Sequence, residues 1–106
     1  MSTPDNLMIS QTDDGRFVCV FIGKTACLAL FDILLPYLQK HLPTFADEFE
    51  GQFYGDVMEI VSLPKQHYMP IYNLIMQAAE QLASVSEYKT LLKNALESDE
   101  RFNAKQ

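Results

Sequence analysis

Lysine and arginine are scarce in this chain, eight of 106 residues against fourteen aspartates and glutamates, for a net charge of −6. None of the eight lies between His41 and Pro64, a stretch that carries Asp47, Glu48, Glu50, Asp56 and Glu59. Nucleic-acid binders draw much of their affinity from basic side chains set against phosphates. Direct nucleic-acid binding is therefore excluded. Cysteine is scarce too, and Cys19 and Cys27 are too few for a disulfide scaffold. Their spacing matches neither a Cys-x-x-Cys redox pair nor half of a zinc site. Each sits in an apolar run, so both are expected to be buried free thiols. No apolar run approaches the roughly twenty residues a bilayer requires, and the longest, 26–35, is interrupted by Asp32. The N-terminus lacks the positive charge and apolar stretch of a secretory signal. The expectation is a cytoplasmic protein without a membrane segment.

The chemistry-bearing motifs are as thin. Gly23-Lys24-Thr25 follows a strand-like run and precedes a helix, as the end of a phosphate-binding loop does. That loop needs a further glycine five residues earlier, where Val18 stands. His41 and His67 are the only histidines, and neither has a second ligand at zinc spacing. No serine lies in a nucleophile-elbow sequence. No catalytic residue, metal or cofactor is assigned, and the chain reads as a binding protein more readily than an enzyme.

What is present is a globular composition, 48% hydrophobic, on a chain of single-domain length. One domain over 1–106 is expected, with 1–6 and 102–106 frayed. Leu7–Gln11 and Arg16–Ile22 are β-prone runs separated by Thr12-Asp13-Asp14-Gly15, a hairpin signal. In the second run Phe17, Cys19 and Phe21 form one face and Val18, Val20 and Ile22 the other. Two apolar faces predict a strand that is central or covered on both sides. A helix follows to about Leu42, with Thr25 as candidate cap, Pro36 as candidate kink and Pro43 as its stop. Thr44-Phe45-Ala46-Asp47 predicts a capped short helix at 44–50. Gln52–Val61 reads as a third extended segment.

Ile71, Leu74, Ile75, Ala78, Leu82 and Val85 form one helical stripe, and Tyr88, Leu91, Leu92, Ala95 and Leu96 continue it. The Ser84-Val85-Ser86 break favours two helices over one. The stripe Ile71, Leu74, Ala78, Val85, Tyr88 and Leu92 also fits a heptad seam, so a homodimer through it is an open expectation. The predicted fold is α+β, with a small, mainly antiparallel sheet of about three strands in the order β-β-α-α-β-α-α, packed on a single helical layer.

The segment from Phe45 to Glu59 interleaves Phe45, Phe49, Phe53 and Tyr54 with five carboxylates. Adjacent strand residues face opposite ways, so Phe53 and Tyr54 cannot both point inward. An aromatic anchor among carboxylates suits a basic protein partner, burial giving affinity and charge giving encounter rate. The candidate partner-binding residues are Asp47, Glu48, Glu50, Phe53, Tyr54, Asp56 and Glu59. The implied function is a small acidic module that docks on a basic protein to inhibit or escort it, as immunity proteins, antitoxins and chaperones do. The alternative is a ligand-binding domain or enzyme with a pocket between sheet and helices, lined by His67, Tyr68 and Tyr72. Asp32 lies on a polar or small seam with Thr25, Ala29, Pro36 and Gln39, the pattern of a solvated helix face.

Overall fold

Asp14-Gly15 makes the turn its chemistry demands. Gly15 takes a φ of +87°, open to glycine at no steric cost. The Thr12 N–H donates to Arg16 O at 2.7 Å and the Gly15 N–H to Thr12 O at 3.0 Å. The turn joins β1 (Asn6–Gln11) to β2 (Phe17–Phe21) as an antiparallel pair, with a register irregularity between Met8 and Ser10. The computed structural model describes residues 3–102, the side chain of Tyr54 excepted. Parts of the ends expected to fray are held. Asp5 O accepts from the Ile22 and Gly23 N–H groups, both at 3.0 Å, and Phe102 packs edge-on to Tyr72. Residues 1–2 and 103–106 lie outside the described residues.

Gly23, at φ +81°, turns the chain from β2 into α1 (Gly23–His41), so Ile22 is the N-cap residue and Thr25 falls inside the helix without capping it. Pro36 lies within α1 without interrupting it. Helix α2 (Pro43–Gly51) begins at Pro43, whose missing N–H costs nothing in a first turn. No side-chain cap forms there, because Thr44 is already helical. A 3₁₀ turn at Gln52–Tyr54 replaces the first half of the expected extended segment, leaving β3 as Val57–Glu59. After a second 3₁₀ turn at Lys65–His67 come α3 (Tyr68–Gln81), the single turn α4 (Ala83–Ser86) and α5 (Lys89–Glu97). The break expected near Ser84 falls at Leu82, whose extended backbone (φ −115°, ψ 122°) ends α3.

The fold is α+β, and the described residues form five helices and a three-stranded sheet in the order β2-β1-β3. The sheet is mixed. The connection through α1 and α2 brings β3 back in the direction of β1, and Asn6, Leu7 and Met8 pair in parallel with Val57, Met58 and Glu59. Leu7, Ile9, Val20 and Met58 form the sheet's inner face and are buried with Leu30, Leu34 and Leu38 of α1, Ile71 and Ile75 of α3, and Leu92 and Leu96 of α5.

Two expectations are corrected. Strand β2 is an edge and is covered on one side only: Val20 is buried, whereas Phe17, Cys19 and Phe21 are exposed. Among the described residues no helix lies over its second apolar face. Cys19, on that face, is consequently an exposed thiol, while Cys27 on α1 is buried, and burial followed by the charge of Asp5 pushes its pKa up to about 12. The heptad-like stripe is occupied within the chain. Ile71, Ala78, Val85 and Leu92 are buried and Leu74 and Tyr88 half-buried against the core.

The sheet is tied to the C-terminal segment by Arg101, a residue without a local sequence signal. Its Nη1 donates to Ile60 O (3.0 Å), Val61 O (3.2 Å) and Leu63 O (2.7 Å), and its Nη2 to Ile9 O (2.8 Å). Nε and Nη2 also grip both oxygens of Asp99 at 2.8 Å, and the guanidinium lies 4.6 Å from the Tyr68 ring centroid. Arginine's planar fork suits this bidentate grip.

Candidate functional site: an acidic aromatic cleft between two helices

Helix α2 meets α1 through aromatic rings. Phe49 is fully buried and stacks on Phe31 of α1, with centroids 5.4 Å apart and planes within 6°. Phe45, one turn earlier on α2, extends the stack at 6.3 Å. Phe53, in the 3₁₀ turn beyond α2, leans on the same Phe31 ring at 5.2 Å and 54°. Offset and tilted contacts of this kind suit aromatic quadrupoles. Phe31 and Phe53 are half-buried, so the stack runs from the core to the surface.

There it opens into a cleft of about 340 Å³ lined by Phe31, Phe53, Asp32 and Glu50. Both carboxylate-bearing residues are exposed. Two aromatic rings and two carboxylates in one cleft are chemically suited to a cation on an aliphatic stem. Aromatic rings can pack against methylenes and attract a cation, and carboxylates can accept its hydrogen bonds.

Of the seven residues expected to bind a partner, the structure brings Glu50 and Phe53 into this cleft. Asp47 precedes Glu50 by three positions and neighbours it on the helix, whereas Glu48 projects from the opposite side of α2. Asp47, Glu48 and Asp56 are exposed. Glu59 has a different role: its Oε2 accepts from the Val61 N–H at 3.0 Å, and its own N–H donates to Gln52 Oε1 at 2.8 Å. It pins the 3₁₀ turn to β3. The Tyr54 side chain lies outside the described residues. Phe31 and Asp32 are the members that sequence reasoning missed. Asp32 is indeed solvated, but the ring beside it and the helix opposite are set by tertiary packing.

The residues of the alternative pocket are each engaged by other groups. Tyr68 is fully buried and its hydroxyl donates to Leu96 O at 2.7 Å. Burial, then the nearby Asp99 charge, holds that phenol well above its usual range. Tyr72 donates to Glu97 Oε2 at 2.5 Å, and burial together with that carboxylate pushes it up to about 12. His67 Nδ1 is 2.8 Å from the Tyr37 hydroxyl, and His41 packs against the Tyr37 ring at 4.4 Å. A larger groove of about 560 Å³ runs past Ser10, Thr12, Leu63 and Ser98 to Arg101, but there the guanidinium is engaged by Asp99 and backbone carbonyls. Among the described residues no cluster of three or more His, Cys, Asp or Glu is placed to hold a metal ion, and no helix is long and apolar enough to cross a membrane. Compared with protein-family models, curated proteins and solved structures, the chain has no match.

Proposed function

We propose that this chain is a small acidic protein-binding module that docks on a basic partner protein and inhibits or escorts it. The observation that carries this reading is the cleft in which Phe31 and Phe53 form the walls and Asp32 and Glu50 the rim. A lysine or arginine of the partner is its fitting occupant, because both the stem and the charge of such a side chain find complementary surface. Asp47 on the same helix adds negative potential beside the cleft, and the net charge of −6 steers a basic protein toward it. Rim charges act chiefly on the association rate, and the aromatic walls on the lifetime of the complex.

Capture on the intact chain tests the proposal. A basic protein should be retained at low ionic strength and released as salt rises, since exposed charge pairs are screened over about 10 Å at 0.1 M. Reversing Asp32 and Glu50 together (D32K/E50K) should abolish retention, while reversing Glu48 on the far side of α2 should weaken it far less. Thermal stability should hardly change, because the three positions are exposed. Retention that ignores D32K/E50K, or resists high salt, refutes the assignment.

A further inference from the structure

Strand β2 is an unprotected edge, and its outward-facing groups are self-complementary. The Arg16 O accepts from the Thr12 N–H at 2.7 Å, and the Ile22 N–H donates to Asp5 O at 3.0 Å. Both bonds point from β2 toward β1. Backbone groups alternate in direction along a strand, so Val18 and Val20 also face β1, and Phe17, Cys19 and Phe21 turn their N–H and C=O groups to the open edge. The β1 side agrees: Met8, opposite Cys19, gives its carbonyl to the Ile60 N–H at 2.9 Å, on the β3 side. Among the described residues β2 has one ladder partner, β1. The edge carries no proline, lysine or other charge within Phe17–Phe21, the devices that ordinarily block strand addition. Phe17 and Phe21 are 51% and 58% exposed.

The strand reads Phe-Val-Cys-Val-Phe, the same in both directions. We infer that β2 pairs antiparallel with β2 of a second copy about a two-fold axis through Cys19. In that register Phe17 lies opposite the second copy's Phe21, Cys19 opposite its Cys19, and Val18 opposite its Val20. The three pairs formed by Phe17, Cys19 and Phe21 are the ones whose free backbone groups meet, each exchanging two hydrogen bonds. The phenylalanines form cross-strand aromatic pairs on either side of the axis. The symmetry continues past the strand ends. Gly15 falls opposite Gly23, and both have positive φ (+87° and +81°) where the chain turns away. Beyond them Asp14, itself engaged by Arg16, and Lys24 hold corresponding positions, so each end of the contact carries charges of both signs although the chain as a whole is acidic. Such an interface is isologous, as closed dimers require, and it joins the two sheets into one of six strands. It uses neither the cleft nor α2, so it stands apart from the partner-binding reading.

Sedimentation equilibrium of the full chain supplies the test. The wild type should approach twice the monomer mass of 12.1 kDa as concentration rises. Cys19→Lys and Cys19→Glu each set like charges against each other on the axis and should weaken dimerisation at least tenfold. Cys19 is exposed, so both should keep wild-type circular dichroism. Mixing the two variants should restore the dimer as a heterodimer, which a merely damaged fold could not do. A wild type that remains monomeric at hundreds of micromolar overturns the inference. So does a dimer that survives both substitutions, or a mixture that stays monomeric.

Discussion

Replacing Arg101 with alanine removes the tie between the C-terminal segment and the sheet. The side chains of Arg101 and Asp99 are only 13% and 3% exposed, so Arg101→Ala strands a carboxylate that water cannot readily reach. It also leaves the carbonyls of Ile9, Ile60 and Leu63 without their charged donor. Breaking a buried pair from one side costs about 3–5 kcal/mol, and the freed carbonyls add to this only where water fails to replace the guanidinium. Domains of this size are stable by about 5–15 kcal/mol, so the loss is a large share of the total. With a urea m-value of roughly 1–3 kcal/mol/M, the midpoint followed by circular dichroism should fall by on the order of 2 M. Adding Asp99→Asn to Arg101→Ala should recover about 1 kcal/mol or more, since the stranded charge is gone. A loss below about 1 kcal/mol for Arg101→Ala, or no recovery in the double variant, would refute the view of Arg101 as a desolvated tie.

The same pair sets an acid limit. Burial pushes the Asp99 carboxyl up, but the hydrogen bonds and charge of Arg101 outweigh it and hold the group below its ordinary value of 3.8. The unfolded chain therefore binds this proton first as pH falls. The contribution is complete well above the unfolded value of 3.8, is lost as pH drops through the lower folded value, and should disappear from the stability–pH curve of Asp99→Asn. A thiol reagent should modify Cys19 alone in the native protein and both cysteines once the chain unfolds, following their exposure. Gly23→Ala should lower stability by about 1–2 kcal/mol in a urea titration, because a Cβ is disfavoured at φ +81°.

Local chemistry was legible where it was also decisive. Asp14-Gly15 announced the hairpin, and the stripe from Ile71 to Leu96 announced the C-terminal helices, because turn geometry and helical period are short-range properties. The two-faced apolar pattern of β2 misled for an informative reason. Alternation shows which side chains share a face but not which elements arrive to cover it, and among the described residues none covers Phe17, Cys19 and Phe21. Arg101 could not be found from the sequence, since its partners are backbone carbonyls as distant as Ile9 and carry no side-chain signature. Within the candidate site, Glu50 and Phe53 were legible as an acid close in sequence to one of two adjacent rings that could not both face inward. Phe31 and Asp32 were not, because only the packing of α1 on α2 brings them there. Glu59 looked like its neighbours in composition, yet its carboxylate is engaged by Val61 and Gln52.

The central claim is that the cleft between α1 and α2 accepts a basic side chain. Titration of the isotopically labelled chain with a short lysine- and arginine-bearing peptide, followed by NMR, measures this directly. Saturable shifts should centre on Phe31, Asp32, Glu50 and Phe53 and weaken with salt. Phe53→Leu, which keeps apolar bulk but removes the ring face, should weaken binding roughly two- to fivefold, equivalent to about 0.5–1 kcal/mol. Shifts scattered over the acidic surface, or an affinity indifferent to Phe53→Leu and to D32K/E50K, would contradict the account.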